Sequence, residues 1–305
     1  MDRIIRRVLP ETHLSQIYRL IRQGKARLNG RRVKPSVRVK EGDRITIKAA
    51  AEQPLPVTAS GTSGTTGRSN GIGDIILFEN KDLLVLNKPG GVPVHGPGSI
   101  DSMVRNYLSA GLPPSLSFRP GPVHRLDRNT TGVLIFSKSL LGARRLSRIL
   151  RERKIDKCYI TILDGRLGGE ETWHDRLKRN HHERKTYEDP ERGRPAVTHV
   201  FPLMTEKGIS LTLIHIETGR THQIRAQAAL HHHPLTGDSK YRGSSLIPFY
   251  LLHAAAVRIT ESNDELGFRT VTAPLTLDSS TVISTLFGSE ALKLIEQSVR
   301  AHVSI

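Results

Sequence analysis

Residues 119–139 read RPGPVHRLDRNTTGVLIFSKS, and this stretch decides the fold expected for the chain around it. Its second half, GVLIFS, is an apolar run rich in β-branched and aromatic residues, which is typical of a buried strand and too short for a typical helix. The polar turn before it carries Asp127, flanked by Arg125 and Arg128 and followed by residues that favour tight turns. The pattern predicts a carboxylate in a fixed place beside the core, although most such acids only form turns or surface ion pairs.

The composition limits the class of protein that contains this stretch. At 305 residues the chain can form a sizeable core and more than one domain, and its net charge of +17 favours a polyanionic partner. The single cysteine, Cys158, excludes an internal disulfide and a cysteine-based zinc site. We expect a reducing, cytoplasmic setting, since no apolar run approaches the roughly 20 residues of a membrane span and no signal peptide is visible.

Residues 1–48 contain 14 basic and 4 acidic side chains, so this segment alone supplies +10 of the net charge. The sequence LSQIYRLIRQ at 14–23 places its apolar side chains on one helical face, with Ser15 as the predicted N-cap. Asn-Gly at 29–30, between short basic strands, predicts a tight hairpin turn. The alternation in EGDRITIK at 41–48 predicts a half-buried strand.

This order of elements resembles the small RNA-binding domain first described in a ribosomal small-subunit protein, also called the α-L motif. The resemblance implies one phosphate-facing surface formed by seven cationic side chains. They are Arg19, Arg22, Lys25, Arg27, Arg31, Arg32 and Lys34. The alternative is a solvated basic face without a partner. If about six of them bind phosphates, RNA affinity should fall about a thousandfold or more between low and physiological salt.

Residues 49–73 are rich in Gly, Ser, Thr and Ala and poor in large apolar residues. That composition predicts a flexible tether between an RNA-binding domain at 1–48 and a second domain at 74–305. At the start of the second domain, two apolar runs at 75–78 and 83–86 predict a hairpin.

Further elements are predicted along the second domain. Helices are expected at 99–110 and 140–153, the latter amphipathic and basic, and strands at 209–216 and around 251–259. Because the strands recur without a regular βα alternation, the pattern favours an α+β domain around a mixed or antiparallel sheet.

The turn sequence HRLDRNTTG resembles the HRLD motif of the pseudouridine synthases of the ribosomal large-subunit type. Three further stretches match that family in the same order: LVLNKPGGVPVHG at 84–96, KCY at 157–159 and ETGRTHQIRAQAALHHHPLTGDSKY at 217–241. The resemblance covers the chain from about Asp74 onward and implies the family's α+β fold. The chain departs from the family at Thr131, where Ser is usual. It also departs after Arg225, where Ala-Gln-Ala replaces Val-His-Leu.

Pseudouridine formation breaks the bond between ribose and the uracil nitrogen, turns the base and rejoins it through carbon 5, so no atom enters or leaves. The reaction requires a carboxylate that attacks or deprotonates the sugar, and a pocket that retains the base and excludes water. The resemblance assigns the carboxylate to Asp127 and leaves both roles open. It implies that Arg225 keeps Asp127 ionised in a water-poor pocket and that Tyr159 stacks on the target base.

Four more side chains in the matching motifs are expected to bind the substrate. They are Arg125, His124, Arg220 and His222. The resemblance implies that Arg125 enters the gap left by the displaced base or holds that base. Asp238 is interpreted as a turn former beside Gly237. The adjacent histidines at 181–182 and 231–233 are interpreted as structural or RNA-facing residues, since adjacent side chains point apart on regular structure and no metal site is completed.

The resemblance therefore predicts a two-domain RNA pseudouridine synthase acting on uridines of 23S ribosomal RNA. We expect a monomer that works without cofactor or metal and does not bind membranes. The same chemistry at another ribosomal or transfer RNA site is one alternative, and a non-catalytic ribosome-assembly factor is another. A nucleoside hydrolase is a third alternative, which the single motif carboxylate disfavours because glycoside hydrolysis normally uses two.

Overall fold

The computed structural model describes residues 1–9, 14–48, 71–109, 118–180, 182–261 and 266–304. The described residues form two compact units. One contains those up to Lys48 together with Phe118 and Arg119, and the other contains residues 71–109 and the described residues from 120 to 304. Most of the predicted tether, residues 49–70, lies outside the described residues, so the tether and the domain limits stay a prediction.

The N-terminal unit is a small helical layer on a two-stranded sheet. Its elements are α1 (Asp2–Val8), α2 (Leu14–Arg22), β1 (Ala26–Leu28) and β2 (Ile45–Ile47). Strands β1 and β2 pair antiparallel, and buried side chains including Ile5, Ile17 and Ile21 form the core. Helix α2 begins one residue before the predicted cap at Ser15, so that cap is wrong.

The predicted Asn29-Gly30 turn is confirmed, because both residues adopt positive φ, 50° and 76°, and Leu28 bridges Arg31 across them. The expected pairing of two basic strands is wrong. Beyond that single bridge the first strand pairs instead with β2, since the apolar side chains of Ile45 and Ile47 supply a half-buried face that the basic residues lack.

The second unit contains a large mixed sheet flanked by helices. Its helices are α3 (Ile100–Ser109), α4 (Leu140–Arg151), α5 (Gln223–Leu230), α6 (Leu277–Phe287) and α7 (Glu290–Ser304). Its strands are β3 (Ile76–Glu79), β4 (Leu83–Lys88), β5 (Gly121–Pro122), β6 (Thr131–Ser137), β7 (Ile155–Asp164), β8 (Glu171–Asn180), β9 (Lys185–Glu188), β10 (Arg194–Glu206), β11 (Ile209–Ile216), β12 (Leu252–Ile259) and β13 (Thr270–Thr272). Short 3-10 turns span Ile72–Ile75 and Ser239–Tyr241.

The strand order is β3-β4-β6-β12-β7-β11-β10-β8-β9, with β5 on β6 and β13 on β12. Within the described strands, β6 and β12 pair parallel and the other pairs are antiparallel. The predicted α+β class with a mixed sheet is therefore confirmed. The predicted hairpin near residue 80 and the strands at 209–216 and 251–259 are also present.

Strand β6, the apolar run of the opening motif, is buried along its whole length because both faces of the sheet are covered. Val133 and Ile135 pack with Leu146 and Ile149 of α4. The alternate residues pack on the other face with α3 and α5. This second face carries the site described below.

The start of β6 requires glycine at position 132. Gly132 adopts φ +100°, and a Cβ there would lie 2.2 Å from the backbone oxygen of Ala254 on β12. The preceding Thr131 has its Oγ1 2.8 Å from Nδ1 of buried His253. The hydroxyl kept by the Ser-to-Thr departure is therefore used to fix the end of the motif turn.

Several elements have no counterpart in the sequence predictions. Strands β8, β9 and β10 extend the sheet, and α6 and α7 cover its face opposite the site through residues such as Ile283 and Ile295. Among the described helices, none combines the length and apolar character needed to cross a bilayer.

Candidate active site

The motif turn that presents Asp127 is held by a buried lysine. Lys88, at the end of β4, is 0% exposed. Its Nζ donates hydrogen bonds to the backbone oxygens of Pro89, Arg128 and Thr130 at 2.8, 2.8 and 2.9 Å. Burial lowers the pKa of Lys88 to about 8, and the nearby charge of Asp127 opposes that shift. The ammonium group thus links the NKPGG segment to two turn residues that follow Asp127.

Asp127 and Arg225 lie together, as the sequence predicts. Nη1 of Arg225 donates to Oδ2 of Asp127 at 3.1 Å, and the Asp127 side chain is 15% exposed. Asp238 approaches the same guanidinium from the other side, accepting from Nε at 2.6 Å and from Nη2 at 2.8 Å. Burial by itself lowers the pKa of Arg225, but the hydrogen bond to Asp238, then Tyr250 and the charges of Asp238 and Asp127 raise it above its usual value.

Two tyrosine rings enclose this guanidinium. Cζ of Arg225 lies 4.3 Å from the ring centre of Tyr250 and 5.1 Å from that of Tyr241, within cation–π range. Burial raises the pKa of Tyr250 to about 12, although the charge of Arg225 opposes the shift. The rings and the bidentate contact with Asp238 fix the arginine, so its remaining nitrogen is aimed at Asp127.

His222 contacts Asp127 from the start of α5. It adopts a left-handed backbone, φ 53°, which is uncommon for a residue with a side chain. Its Nδ1 is 2.9 Å from Oη of Tyr241, and its Nε2 is 3.7 Å from Oδ2 of Asp127. Burial and, to a smaller extent, the charge of Arg225 lower its pKa to about 4 against the opposing charge of Asp127. His222 is therefore neutral near pH 7.

A cavity of about 350 Å³ opens beside Asp127. Tyr159, from the centre of β7, lies in its wall together with Ile216, Ile224 and Leu252. Tyr159 is buried, and burial followed by the charge of Asp127 raises its pKa above the usual value. The cavity thus combines an aromatic ring, an apolar wall and the carboxylate; we call it the base cavity.

The four predicted substrate-binding residues all line the base cavity. Arg125 is exposed at its mouth, while His124 has its Nε2 accepting from the backbone N–H of Ile135 at 3.1 Å. Burial, followed by the charge of Lys157, lowers the pKa of His124 to about 3, so this ring is a neutral acceptor. Arg220 donates from Nε to a backbone oxygen at 3.0 Å. Two of the four are thus engaged with backbone as well as facing the cavity.

The seven predicted RNA-binding residues of the N-terminal unit are all exposed. Arg27 and Arg32 donate to the backbone oxygens of Gly24 and Gln23, just after α2, while Arg22 donates to that of Tyr18 within the helix. Within the part of the chain that the structure describes, none of the seven forms an ion pair with a carboxylate. Their charges stay available to a polyanion.

Sequence reasoning missed the parts played by Asp238 and Lys88. Asp238 does stand in a tight turn, as interpreted, but its carboxylate is 1% exposed and serves as the main partner of Arg225. A signal existed, because Arg225 lies in an otherwise uncharged helix and needs a partner, and Asp238 is the only acid between Arg225 and Glu261. Lys88 lies in a quoted motif, but a lysine gives no indication of burial.

The remaining sequence features lie apart from the site. Gln227, where His is usual in the family, bonds Asp175 and Thr198 behind the helix and does not line the base cavity. His231 stacks on Trp173, while the ring of His233 bonds a backbone oxygen. Across the described ranges, no cluster of three or more histidine, cysteine or acidic side chains has the arrangement of a metal site.

Known families and proteins match most of this chain. The family described as RNA pseudouridylate synthase matches residues 82–230, and the S4 domain family matches residues 2–45. Ribosomal large subunit pseudouridine synthase C of Buchnera aphidicola subsp. Schizaphis graminum is 31% identical, over 94% of this chain and 93% of that protein. Ribosomal large subunit pseudouridine synthase D of Vibrio parahaemolyticus is 32% identical, over 81% of this chain and 74% of that protein.

Solved structures share the fold. Human RNA pseudouridylate synthase domain containing 4 matches with a TM-score of 0.57 at 21% identity, covering 70% of this chain and 92% of that chain. Human RNA pseudouridylate synthase domain containing 1 matches with a TM-score of 0.52 at 22% identity, covering 72% and 94%. At these identities the likeness concerns the fold alone.

Proposed function

The chain belongs to the RNA pseudouridine synthases of the ribosomal large-subunit type with an N-terminal S4 domain, and on that basis we propose that it isomerises uridines of 23S ribosomal RNA. Asp127 acts on a uridine that has left its helix or stacked loop. The observation that carries this assignment is the Asp127 carboxylate, bonded to Arg225 at 3.1 Å at the edge of a cavity lined by Tyr159.

The geometry supports a division of labour in the reaction. Asp127 either attacks carbon 1′ of the ribose or removes a proton from the sugar while the bond to the uracil nitrogen breaks. Nη1 of Arg225 donates to this carboxylate and places a positive charge beside it. Because Asp238 and the tyrosine rings fix the guanidinium, the carboxylate is oriented before the substrate arrives.

The base cavity retains the detached uracil. Its apolar wall disfavours water, and the face of Tyr159 offers stacking worth roughly 1–3 kcal/mol without fixing the base in one orientation. The base can therefore turn and present carbon 5 to the sugar. Carbon 5 then bonds to carbon 1′ as Asp127 leaves the sugar or returns the proton it took. Carbon 5 loses its proton and the former glycosidic nitrogen gains one, so no atom enters or leaves.

The ribosomal substrate is supported by the relatives and by charge. Two relatives that match most of this chain are named as ribosomal large subunit pseudouridine synthases. The N-terminal unit presents seven exposed cationic side chains that can neutralise phosphates, and proteins that bind RNA backbones use this type of surface. We assign 23S ribosomal RNA, rather than transfer RNA, on these grounds.

The function is tested by mapping pseudouridines in 23S ribosomal RNA from cells with the wild-type gene, without it, and with Asp127→Asn. We expect one or more pseudouridines to vanish in the deletion strain and to stay absent with D127N, because the amide neither attacks nor accepts a proton. Purified D127N should be at least about a thousandfold slower on the same RNA.

Asp278→Asn is the matched control, since Asp278 is an exposed carboxylate at the start of α6 and lines neither the base cavity nor the motif turn. Unchanged pseudouridines in the D127N strain would leave only an RNA-binding assembly role. Pseudouridine lost from transfer RNA instead would reassign the substrate, and free uracil in the assay would indicate a hydrolase.

A further inference from the structure

A second cavity, of about 330 Å³, opens on the other side of Asp127. Arg125, Asp127 and His222 line both cavities. The second cavity is more polar than the base cavity. Its apolar lining is limited to Pro93, Val94, Leu126 and the ring of Tyr250, and its polar lining includes His95, Arg128, Asn129 and Lys240. We call it the cationic cavity.

The charges around the cationic cavity are not balanced. Asp127 is the only carboxylate among its lining residues, and together with Asp238 it is already engaged by Arg225. Arg125, Arg128 and Lys240 add three positive charges. Lys240 is half-buried and has neither a hydrogen bond nor an ion pair among the described residues. Its ammonium group is therefore free to bind an anion.

Neighbouring groups add to this positive field. The half-buried Arg179 has a buried Nε without a hydrogen-bond partner in the described structure. After burial and the charge of Arg225, the charges of Lys240 and Arg179 contribute to lowering the pKa of His222. The cationic cavity is thus suited to a group that carries a fixed negative charge.

The position of Asp127 between the two cavities suggests which group this is. In a nucleotide, carbon 1′ joins the base to the sugar, so a carboxylate at carbon 1′ has the base on one side and the ribose with its phosphates on the other. We propose that the cationic cavity binds a phosphodiester group next to the target uridine, with Lys240 as its principal cation. The assignment rests on the proposed function and adds a backbone subsite to it.

A contact between Lys240 and this phosphate would make the enzyme prefer uridine within an RNA chain over the free nucleoside. A phosphate held at Lys240 fixes the ribose relative to Asp127, so binding energy from the RNA backbone orients carbon 1′ for the reaction. Arg128 is a less suitable probe than Lys240, because its Nε also bonds the backbone of Gly91 at 2.7 Å and its loss would loosen the motif turn.

The first test compares Lys240→Met with wild type and with Lys81→Met, an exposed lysine that lines neither cavity. Binding to an RNA fragment that contains the mapped uridine is measured by fluorescence anisotropy from low to physiological salt. We expect K240M to raise Kd roughly tenfold or more and to reduce the slope of log Kd against log salt by about 0.7, as for one lost phosphate contact. K81M should match wild type, and K240R should restore most of the affinity.

The second test identifies the phosphate. The same RNA is made with a neutral methylphosphonate linkage either 5′ or 3′ to the target uridine. One of the two linkages should weaken wild-type binding and abolish the difference between wild type and K240M. An equal K240M effect on all three RNAs, or an unchanged Kd and salt slope, would overturn the proposal.

The two assays separate this inference from the function it rests on. Absence of pseudouridine with the wild-type enzyme refutes the proposed function and, with it, the subsite. A mapped uridine whose RNA binds wild type and K240M equally refutes the subsite alone. A folding defect is recognised by comparing the thermal midpoints of K240M, K240R and wild type. If K240M lowers affinity with an unchanged salt slope, Lys240 is structural and the subsite is refuted.

Discussion

Arg225 in the second unit and Arg27 in the N-terminal unit lie in opposite environments. Arg225 is 6% exposed, and its guanidinium is held by two carboxylates and two tyrosine rings. Arg27 is exposed, and its guanidinium donates to the backbone oxygens of Gly24 and Gly30. The same side chain is thus fully engaged in one unit and available to a ligand in the other.

The difference shows what each unit does with positive charge. Burial removes water from Arg225, so its partners are obligatory and their positions are fixed, which is the condition for aiming Asp127. The exposed arginines keep their hydration and are largely interchangeable, so they contribute little to folding and much to salt-dependent attraction of a polyanion. Under the proposed function, the first kind of charge positions a reacting group, while the second recruits the RNA that carries the target uridine.

Replacing Arg225 by Met gives the largest expected effect on stability. Met conserves much of the volume but leaves Asp238 buried without its partner, and breaking a buried pair in this way costs about 3–5 kcal/mol. We expect the free energy of unfolding to fall by that amount in urea denaturation, with loss of pseudouridine formation. R225K, which keeps the charge but not the planar fork, should be intermediate. If R225M unfolds at the same urea concentration as wild type, buried Arg225 contributes no more to stability than an exposed arginine, and the comparison fails.

The pKa of His222 predicts a pH dependence of stability. Since its pKa is about 4 in the folded protein and about 6.5 when unfolded, the unfolded chain binds the proton more readily between these values. The stability associated with neutral His222 is therefore fully present above about pH 6.5 and is lost as the pH falls toward 4. Between pH 7 and pH 4.5 the free energy of unfolding of His222→Gln should therefore fall by about 2–3 kcal/mol less than that of wild type.

This difference is measured by urea denaturation of both proteins at the two pH values. Other buried histidines with lowered pKa values, such as His124 and His253, are present in both proteins and cancel in the comparison. Parallel pH profiles for H222Q and wild type would mean that the ring beside Asp127 is as easily protonated as an exposed one.

Replacing Lys88 by Met tests whether a buried cation without a carboxylate partner also fixes the site. The variant leaves at least one of three backbone oxygens around the motif turn unsatisfied, at a cost of about 1–3 kcal/mol. We expect reduced stability together with a lower kcat, because the turn that presents Asp127 is loosened. Lys81→Met, on an exposed turn, is the control. Lost stability with an unchanged kcat would mean that the hydrogen bonds of Lys88 stabilise the fold but do not affect catalysis.

The smallest effect on folding is expected in the N-terminal unit. Arg27→Gln combined with Arg32→Gln should change the free energy of unfolding by no more than about 0.5 kcal/mol, as for other surface substitutions. The slope of log Kd against log salt for ribosomal RNA should nevertheless fall by about 1.4 to 1.8 if both contact phosphates. An unchanged slope would mean that this face is solvated and has no RNA partner.

Much of the fold could be predicted from local patterns. The apolar run of β6, the hairpin of β3 and β4 and the boundaries of β11 follow from runs and alternations that the sequence displays directly. Strands β8 and β10 were not predicted, since their polar residues give no clear alternation. Strand β10 pairs with β8 through its first half and with β11 through its second half. Their positions depend on the sheet that they join.

The candidate site divides in the same way. Motif resemblance identified Asp127, Tyr159 and Arg225, and these three lie at one cavity. Asp238 was interpreted as a turn former because a carboxylate beside glycine is a turn signal in any sequence. Its contact with Arg225 arises only when the loop after α5 folds back over the helix.

By itself, the sequence determined the basic N-terminal segment and the α+β class, because these properties depend on residue type and on spacing along the chain, while Asp127 was proposed from the family resemblance of its motif. Only the tertiary structure decided which charges are buried and which partner each buried charge receives. Burial is a property of the surroundings and is set by elements distant in sequence. Lys88 and Lys81 illustrate the point, since seven positions apart one is a buried clamp and the other an exposed turn residue.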